Sequence, residues 1–210
     1  MMIKHPATKP AIFFLCLLPM LLIIWNAIWG DLGANPVETI THQTGDWTLR
    51  LLLLTLFLTP LKIMTGSAQV IRFRRMLGLF VYFYASCHFL IWFLADHSLD
   101  VVSMFEDIVE RPYITFGFSA FILLAPLAIT SNYYSMARLG KNWKKLHKLV
   151  YLILALGVVH FLWLVKADNL EPLIYASIAV LLMSMRMSFF KNWIARLRLG
   201  KSPSLQEANS

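Results

Sequence analysis

The chain has 210 residues, of which 59% are hydrophobic and 14% charged, and its formal net charge is +8. A soluble domain is about half apolar, with about a quarter of its residues charged. This composition, with a mean hydropathy of +0.65, excludes a soluble domain and predicts a protein embedded in a membrane along nearly its whole length. Its basic residues are expected to contact membrane lipid, and no nucleic-acid partner is expected.

Six apolar runs are long enough, or nearly so, to cross about 30 Å of hydrocarbon. The first lacks a small-residue cleavage site, so we interpret it as an uncleaved anchor. The predicted fold is an all-α integral membrane bundle of six transmembrane helices within residues 1–199, followed by a polar tail, 200–210, that is expected to be disordered. The predicted spans are residues 11–29, 47–64, 77–95, 114–130, 146–165 and 173–190.

The distribution of charge predicts the orientation of the chain. With the N-terminus inside, all but three of the 19 Lys and Arg residues fall in inner segments, and all but one of the 11 acidic residues fall in outer segments. The outer cations are Arg50, Arg111 and Lys166, and the inner acid is Glu207. Because basic residues are retained on the cytoplasmic side, both termini are predicted to face the cytoplasm.

Two outer segments carry helix-start signals. In NPVE, Asn35–Glu38, an Asn cap precedes Pro, and Glu follows three residues after the cap. SMFE, Ser103–Glu106, has the same spacing between its capping residue and Glu. Both segments are expected to begin short helices on the outer surface, which either close the loops or form a docking surface.

The histidines are the most informative side chains. His88 lies eight residues below Asp96, and therefore about 12 Å under the outer surface on a helix. His160 lies about 9–12 Å under the same surface, on a span that runs in the same direction. Three other histidines are expected to be ordinary solvated residues: His5, His42 and His97.

Two imidazoles at one depth on two helices suit a metal between them, because ionisable groups inside spans are costly and usually functional. The alternative is that His88 and His160 are polar residues that bond neighbouring helices. No carboxylate lies in the six predicted spans, and Cys16 and Cys87 are not spaced as ligands. Zinc and di-iron sites therefore lack their usual donors.

Two neutral imidazoles on opposite faces of a haem iron need no further protein ligand. Such ligation leaves no open iron position, which predicts electron transfer rather than oxygen binding. A haem also needs apolar walls and space for its ring. Small residues could provide that space, although they also serve helix packing: Gly78, Gly117 and Gly157.

His147 lies at the inner end of the fifth predicted span, thirteen residues before His160. On a regular helix, thirteen residues correspond to a rise of about 20 Å and to a rotation about the helix axis that exceeds whole turns by about 220°. The two histidines are therefore not expected to share a face. His147 could ligate a second, inner haem, but the corresponding position on the third span, thirteen before His88, is Arg75. The alternatives are a contact to a flavin or quinone, and an interfacial histidine.

The inner loops mix basic and aromatic residues, as in SNYYSMARLGKNWKKLH, Ser131–His147. Basic residues beside the cytoplasmic leaflet ordinarily contact anionic lipid. The functional alternative is a site for a flavin phosphate. The candidate inner-surface contacts are Arg74, Arg75, Lys144 and Lys145.

Several motifs, in order along nearly the whole chain, together resemble a known family. They are LGANPVETI, LTPLK, RFRRMLGL, CHF, RPYITFG, LGKNWKKLHKLVYL, HFLWLVK and PLIYA. The chain resembles the haem-binding membrane subunits of the bacterial periplasmic protein-methionine-sulfoxide reductase system, the MsrQ type. That type belongs to the ferric-reductase-like transmembrane group.

The resemblance implies b-type haem, one or two per chain, and FMN. It implies a multi-pass subunit of the bacterial inner membrane that takes electrons from the quinone pool or a cytoplasmic flavin reductase. The acceptor would be a periplasmic molybdopterin-containing subunit that reduces methionine sulfoxide in oxidised proteins. This chain would then be a non-catalytic electron-transfer subunit. The family's haem histidines correspond to His88, His147 and His160, and no local motif identifies the FMN-binding residues.

Two other functions are compatible with the sequence. A stand-alone ferric-reductase-like haem protein would usually carry its own flavin and nicotinamide domain, which this chain is not expected to contain. A channel or transporter with a histidine proton relay predicts buried acids or broken helices near the middle of the membrane. The predicted spans contain no such acid.

Overall fold

A computed structural model of the chain describes residues 7–30, 32–165 and 170–186. Lys166, His5, the end of the sixth predicted span at 187–190 and the predicted tail at 200–210 lie outside these ranges. The described residues contain helices and no β-strand. The α-helices are α1 (Thr8–Trp29), α2 (Pro36–Thr65), α3 (Arg74–Ala95), α4 (Val101–Glu110), α5 (Pro112–Ile129), α6 (Tyr133–Leu139), α7 (Lys141–Leu146), α8 (Leu149–Leu164) and α9 (Leu170–Ser184).

The prediction of an all-α membrane protein is confirmed. Five helical segments are long and apolar enough to cross a membrane: α1, α2, α3 with the 3₁₀ helix Ala68–Phe73 that precedes it, α5, and α7 with α8. The remaining apolar helix, α9, has 15 described residues, about 22 Å at 1.5 Å per residue. The sixth span and the side of the membrane on which the termini lie therefore stay predictions.

The helix start at Asn35 is confirmed, but the expected short surface helix is wrong. The Asn35 side chain accepts a hydrogen bond from the Glu38 backbone N–H and donates one to the Glu38 carboxylate. The helix then continues without interruption for 30 residues, because backbone hydrogen bonding does not require the apolar pattern that begins only at Trp47. The second span is thus longer at its outer end than predicted, and it includes Asp46.

The second outer helix begins three residues earlier than predicted. Asp100, rather than Ser103, caps α4 by accepting hydrogen bonds from the backbone N–H groups of Val102 and Ser103. Asp100 can serve because its carboxylate reaches two free amides at the helix start. The inner face of α4 buries Met104 and Ile108 against α5, so this helix covers the outer end of the bundle.

The bundle is organised around two helix pairs. The most extensive contacts are between α2 and α3, and the next are between α5 and α8. α1 packs on the first pair through Tyr84, which is fully buried. Its hydroxyl donates to the Cys16 carbonyl and accepts from the Met20 N–H, both at 2.9 Å. These two backbone groups would pair in a regular helix, so Tyr84 ties α3 to α1 beside Pro19. Both cysteines lie in described segments and are unpaired.

The fifth predicted span is interrupted at its inner end. α7 stops at Leu146, His147 and Lys148 form a turn, and α8 begins at Leu149. Trp143 fixes this turn to the end of α5, because its indole N–H donates to the Thr130 carbonyl at 2.9 Å. The side chain of His147 therefore does not follow the regular helical rotation that the sequence predicts for a single helix.

Candidate functional site

His88 and His160 face each other across the bundle. His88 projects from α3 and His160 from α8, and their ring centroids are 6.3 Å apart with an angle of 79° between the ring planes. The two imidazoles, which were predicted to lie at the same depth in the membrane, are therefore close together. Each belongs to a different one of the two helix pairs, so the space between them lies at the junction of the pairs.

Each imidazole is oriented by a backbone carbonyl of its partner helix. The Nδ1 atom of His88 lies 2.9 Å from the Thr41 carbonyl oxygen on α2. The Nδ1 atom of His160 lies 2.7 Å from the Tyr113 carbonyl oxygen on α5. A carbonyl oxygen only accepts, so both Nδ1 atoms donate and both Nε2 atoms keep a free lone pair. This is the arrangement in which protein histidines bind metals.

The separation of the rings matches ligation of a single metal ion. Imidazole nitrogens bind metals at about 2.0 Å, which places the centroids of two opposed rings about 6–6.5 Å apart. The observed 6.3 Å falls within this interval. In the described part of the chain, no group of three or more His, Cys, Asp or Glu side chains could hold a metal. Two imidazoles are the donors that a bis-histidine haem iron uses.

Two glycines allow the histidines their positions. A Cβ atom on Gly117 would lie 2.7 Å from Nδ1 of His160, and one on Gly45 would lie 3.1 Å from Cε1 of His88. Gly117 was predicted to provide space, and Gly45 was missed. Gly157 lines the same cavity, whereas a Cβ on Gly78 would meet no atom within 4 Å and the residue does not line the cavity.

The two imidazoles line a cavity of about 690 Å³ between the helix pairs, which we call the outer cavity. Cofactor pockets typically measure 300–1,000 Å³ and are mostly apolar. The deeper walls of the outer cavity are apolar, and its mouth is charged. The side chains that define it are Val81, Leu124, Ile153 and Phe121 in the walls, and Glu38, Asp46, Asp96, Arg111 and Glu171 at the mouth.

The helix that contains the second predicted span carries a carboxylate one residue before the predicted outer bound. Asp46 is in the outer part of α2, and its carboxylate is 3.4 Å from the Arg50 guanidinium. Arg50 also lies 3.5 Å from Glu171 and donates to the Tyr175 hydroxyl at 2.6 Å. Asp46 is thus neutralised by a neighbouring cation, so the cluster connects α2 to α9 and is not placed as a metal ligand.

His97 is not a solvated residue, and that prediction is wrong. Its side chain is buried, with 8% of the residue exposed. Its Nδ1 lies 2.9 Å from the Ser103 hydroxyl, and its Nε2 lies 3.4 Å from the Asp107 carboxylate. The ring is covered on one side by α4, which carries Ser103 and Asp107, and on another by Trp92 of α3, whose ring centroid lies 4.6 Å away. In contrast, His42 is exposed as predicted, although it also lines the outer cavity.

His147 lies apart from the two facing histidines. Its ring stacks on Trp143 with 3.9 Å between centroids. Its Nδ1 is 3.1 Å from the Trp143 carbonyl oxygen, and its Nε2 is 3.5 Å from the Ser131 hydroxyl. His147 therefore occupies the turn between α7 and α8 near the end of α5, and no other histidine faces it within the described ranges.

The four predicted inner-surface cations do not form one group. Arg74 lines a second cavity at the inner end of the bundle. The Arg75 guanidinium instead lies 5.0 Å from the ring centroid of Tyr133. Lys144 and Lys145 are exposed on α7. Only Arg74 thus combines a position in a cavity with other cationic neighbours.

Comparison with known proteins supports the family indicated by the motifs. The ferric reductase like transmembrane component family matches residues 44–158, which include His88, His147 and the outer-cavity glycines. No solved structure matches the chain.

Several curated proteins are similar along most of their length. One from Polaromonas naphthalenivorans (strain CJ2) is 46% identical and covers 96% of this chain and 93% of its own. One from Bordetella pertussis is 47% identical, covering 86% and 88%, and one from Xanthomonas campestris pv. campestris is 50% identical, covering 86% of each. All three are named protein-methionine-sulfoxide reductase heme-binding subunit MsrQ. This chain therefore belongs to the MsrQ family, within the ferric-reductase-like transmembrane group.

Proposed function

We propose that this chain binds a b-type haem between His88 and His160 and conducts electrons across the bacterial inner membrane. The acceptor is a periplasmic, molybdopterin-containing subunit that reduces methionine sulfoxide in oxidised proteins. The observation that carries the proposal is the pair of opposed imidazoles, 6.3 Å apart, in a largely apolar cavity. The names of the similar proteins, which specify heme binding and methionine-sulfoxide reduction, support it.

The residues around the outer cavity have distinct roles in this proposal. His88 and His160 would hold the haem iron, and the carbonyls of Thr41 and Tyr113 accept from Nδ1 of each ring, which leaves each Nε2 available to the metal. Gly45 and Gly117 allow the neighbouring helices to approach these rings. When bound, haem supplies reversible one-electron chemistry at iron. With both histidines bound to the iron, no position would be left open for oxygen, so these residues would restrict the site to electron transfer.

A second redox group is needed at the inner end of the bundle. The start of α8 at Leu149 is about 16 Å from His160 by helical rise, and His147 lies beyond it, so the outer cavity is far from a cytoplasmic donor. We infer that FMN or a quinone occupies this region, with His147 as a contact. The position on α3 where a second ligand for an inner haem would be expected is Arg75, whose guanidinium packs on Tyr133. The absence of a histidine at this position favours a flavin or quinone over a second haem. Arg74, Lys144 and Lys145 are the other cations on this side.

The direction of electron flow follows from the proposed orientation, with both termini in the cytoplasm. The outer cavity opens among acidic residues, whereas His147 lies among basic ones. Basic segments face the cytoplasm in membrane proteins. Electrons therefore enter beside His147 from the quinone pool or from a cytoplasmic flavin reductase, and they leave beside the outer cavity.

The proposal can be tested with the full chain in sided proteoliposomes. A reduced quinone or a flavin reductase with its substrates is supplied at the cytoplasmic face, and haem reduction is followed by visible absorption. Addition of the periplasmic subunit and methionine sulfoxide at the opposite face is expected to reoxidise the haem, and omission of either is expected to prevent reoxidation. If ferric chelates reoxidised the haem rapidly and the periplasmic subunit did not, the chain would be a stand-alone ferric reductase instead.

A further inference from the structure

The second cavity, which we call the inner pocket, lies at the opposite end of the bundle from the outer cavity. Its volume is about 330 Å³. α2, the 3₁₀ helix, α3, α8 and the segment after α9 each contribute to its walls. The lining residues are Thr59, Lys62, Ile71, Arg74, Tyr151 and Arg186.

Three cations in the inner pocket have no acidic partner. Within residues 7–30, 32–165 and 170–186, the ion pairs involve other residues, and none includes Lys62, Arg74 or Arg186. The guanidinium groups of Arg74 and Arg186 are close enough to repel each other. Like charges held close together without an anion repel one another, and the cost is largest where the cation is partly buried, as Arg186 is. The pocket therefore lacks a negative charge that would offset this cost.

The guanidinium of Arg186 is held in a fixed position. It donates to the Tyr151 hydroxyl at 2.7 Å, to the Thr59 hydroxyl at 3.2 Å and to the Leu56 carbonyl. Arg74 also donates to the Thr59 hydroxyl, so one side chain links the two guanidinium groups. The Nε atom of Arg186 is nevertheless buried without a hydrogen-bond partner. A buried donor without an acceptor is expensive, and this cost adds to that of the uncompensated positive charge around the pocket.

We propose that the inner pocket binds a phosphate group. Two guanidinium groups and one ammonium group supply several charge-assisted donors around a small space, which suits an anion with several oxygens. The phosphate comes either from FMN or from the headgroup of an anionic phospholipid. In the first case the inference rests on the proposed function and assigns the FMN phosphate to Lys62, Arg74 and Arg186, two of which were not predicted from the sequence. In the second case it is independent of that function.

Lys62→Gln and Arg74→Gln are the informative variants. Both residues are exposed on one side, and Lys62 makes no side-chain hydrogen bond in the described structure, so neither change should unfold the bundle. Arg72→Gln is the matched control, because Arg72 is an exposed cation on the same inner surface, two residues from Arg74, and does not line the pocket. Haem per chain, measured in each preparation, separates failure of this inference from failure of the proposed haem site.

Two measurements distinguish the sources of phosphate. FMN and riboflavin are titrated into the purified full chain in neutral detergent and followed by flavin fluorescence, and co-purified phosphatidylglycerol is counted by native mass spectrometry. For FMN, each pocket variant should weaken binding about tenfold, as expected for loss of one charged contact, while riboflavin binding and the Arg72→Gln control should be unchanged. For lipid, each variant should lose bound phosphatidylglycerol. If neither ligand responded, or if Arg72→Gln had the same effect, the inference would be overturned.

Discussion

The outer cavity and the inner pocket lie between some of the same helices, yet they differ in whether their polar side chains have bonding partners of their own. In the outer cavity, the two imidazoles already have backbone partners on Nδ1, which leaves their Nε2 lone pairs available to a metal. In the inner pocket, three cations gather, and none of them has an acidic partner among the described residues. The first is suited to a metal that needs neutral donors, and the second is suited to an anion. One bundle can therefore hold chemically different groups at its two ends.

The helix pairing explains how the outer cavity obtains its geometry. His88 is oriented by the helix that packs most extensively on its own, and His160 is oriented in the same way within the other pair. Each ligand is thus fixed inside a rigid pair, and the distance between the imidazoles depends on how the two pairs pack. Changes at the contact between a histidine and its partner helix should have the largest effects on the outer cavity, with little effect on the inner pocket.

The largest effect is expected from adding a methyl group beside a histidine. Gly117→Ala places Cβ 2.7 Å from the His160 ring, so the ring must move and most bound haem should be lost. Gly45→Ala, with its closest approach to His88 at 3.1 Å, should cause a smaller loss. Gly78→Ala is the control, since nothing lies within 4 Å of its Cβ. The amount of haem per chain is measured by the pyridine haemochrome assay. Equal haem contents in Gly117→Ala and Gly78→Ala would contradict the account.

A smaller and one-sided effect is expected at the inner end. His147→Ala should keep the ligand set of the outer haem, because the His147 ring lies against Trp143 and Ser131 and does not line the outer cavity. It should slow reduction of the haem by a cytoplasmic-side donor about tenfold or more, equivalent to about 1.4 kcal/mol in activation free energy. Oxidation by the periplasmic subunit should stay near the wild-type rate.

Stopped-flow measurement of the two half-reactions distinguishes the roles of His147. Loss of all haem in the variant would make His147 a ligand of the main haem. Wild-type rates in both half-reactions would make it an interfacial histidine without a role in electron transfer.

The smallest effect is expected at His97, where the structure differs from the sequence-based expectation. His97→Ala removes the buried contacts of the His97 ring with Ser103 and Asp107. It should lower the free energy of unfolding by about 1–3 kcal/mol. Haem content should be unchanged, because His97 does not line the outer cavity. The control is His42→Ala at an exposed position. A thermal melt that showed equal Tm values for the two variants would contradict a packing role for His97.

Much of the architecture could be predicted from the sequence, because apolar length and charge distribution determine where helices enter a membrane. The depth of His88 and His160 followed from counting residues to the charged ends of their spans. The same method failed at Asn35, where the helix continues through polar residues, and at Asp100, whose capping role depends on which amides are left free. A periodic pattern of apolar residues indicates which side chains are buried, but it does not indicate at which residue the backbone hydrogen bonding of a helix begins.

The details of the two sites could not be predicted, because they depend on backbone groups and on contacts between distant residues. No property of Thr41 or Tyr113 as amino acids reveals that their carbonyls orient the histidines. Gly45 could have been noticed as a small residue near the outer end of a span, but its proximity to His88 depends on how α2 packs on α3. Arg186 joins Tyr151 and Thr59 only because the segment after α9 returns to the inner end of α2.

The most direct test of the central claim is low-temperature EPR of the oxidised, purified chain, combined with haem counts for His88→Ala and His160→Ala. Imidazole planes at 79° predict a low-spin ferric signal with a single, strongly anisotropic low-field feature, whereas parallel planes would give a rhombic spectrum with three resolved features. Each variant is expected to lose this signal, with loss of haem or of six-coordination. If both variants kept a full complement of haem and an unchanged six-coordinate spectrum, ligation by His88 and His160 would be contradicted.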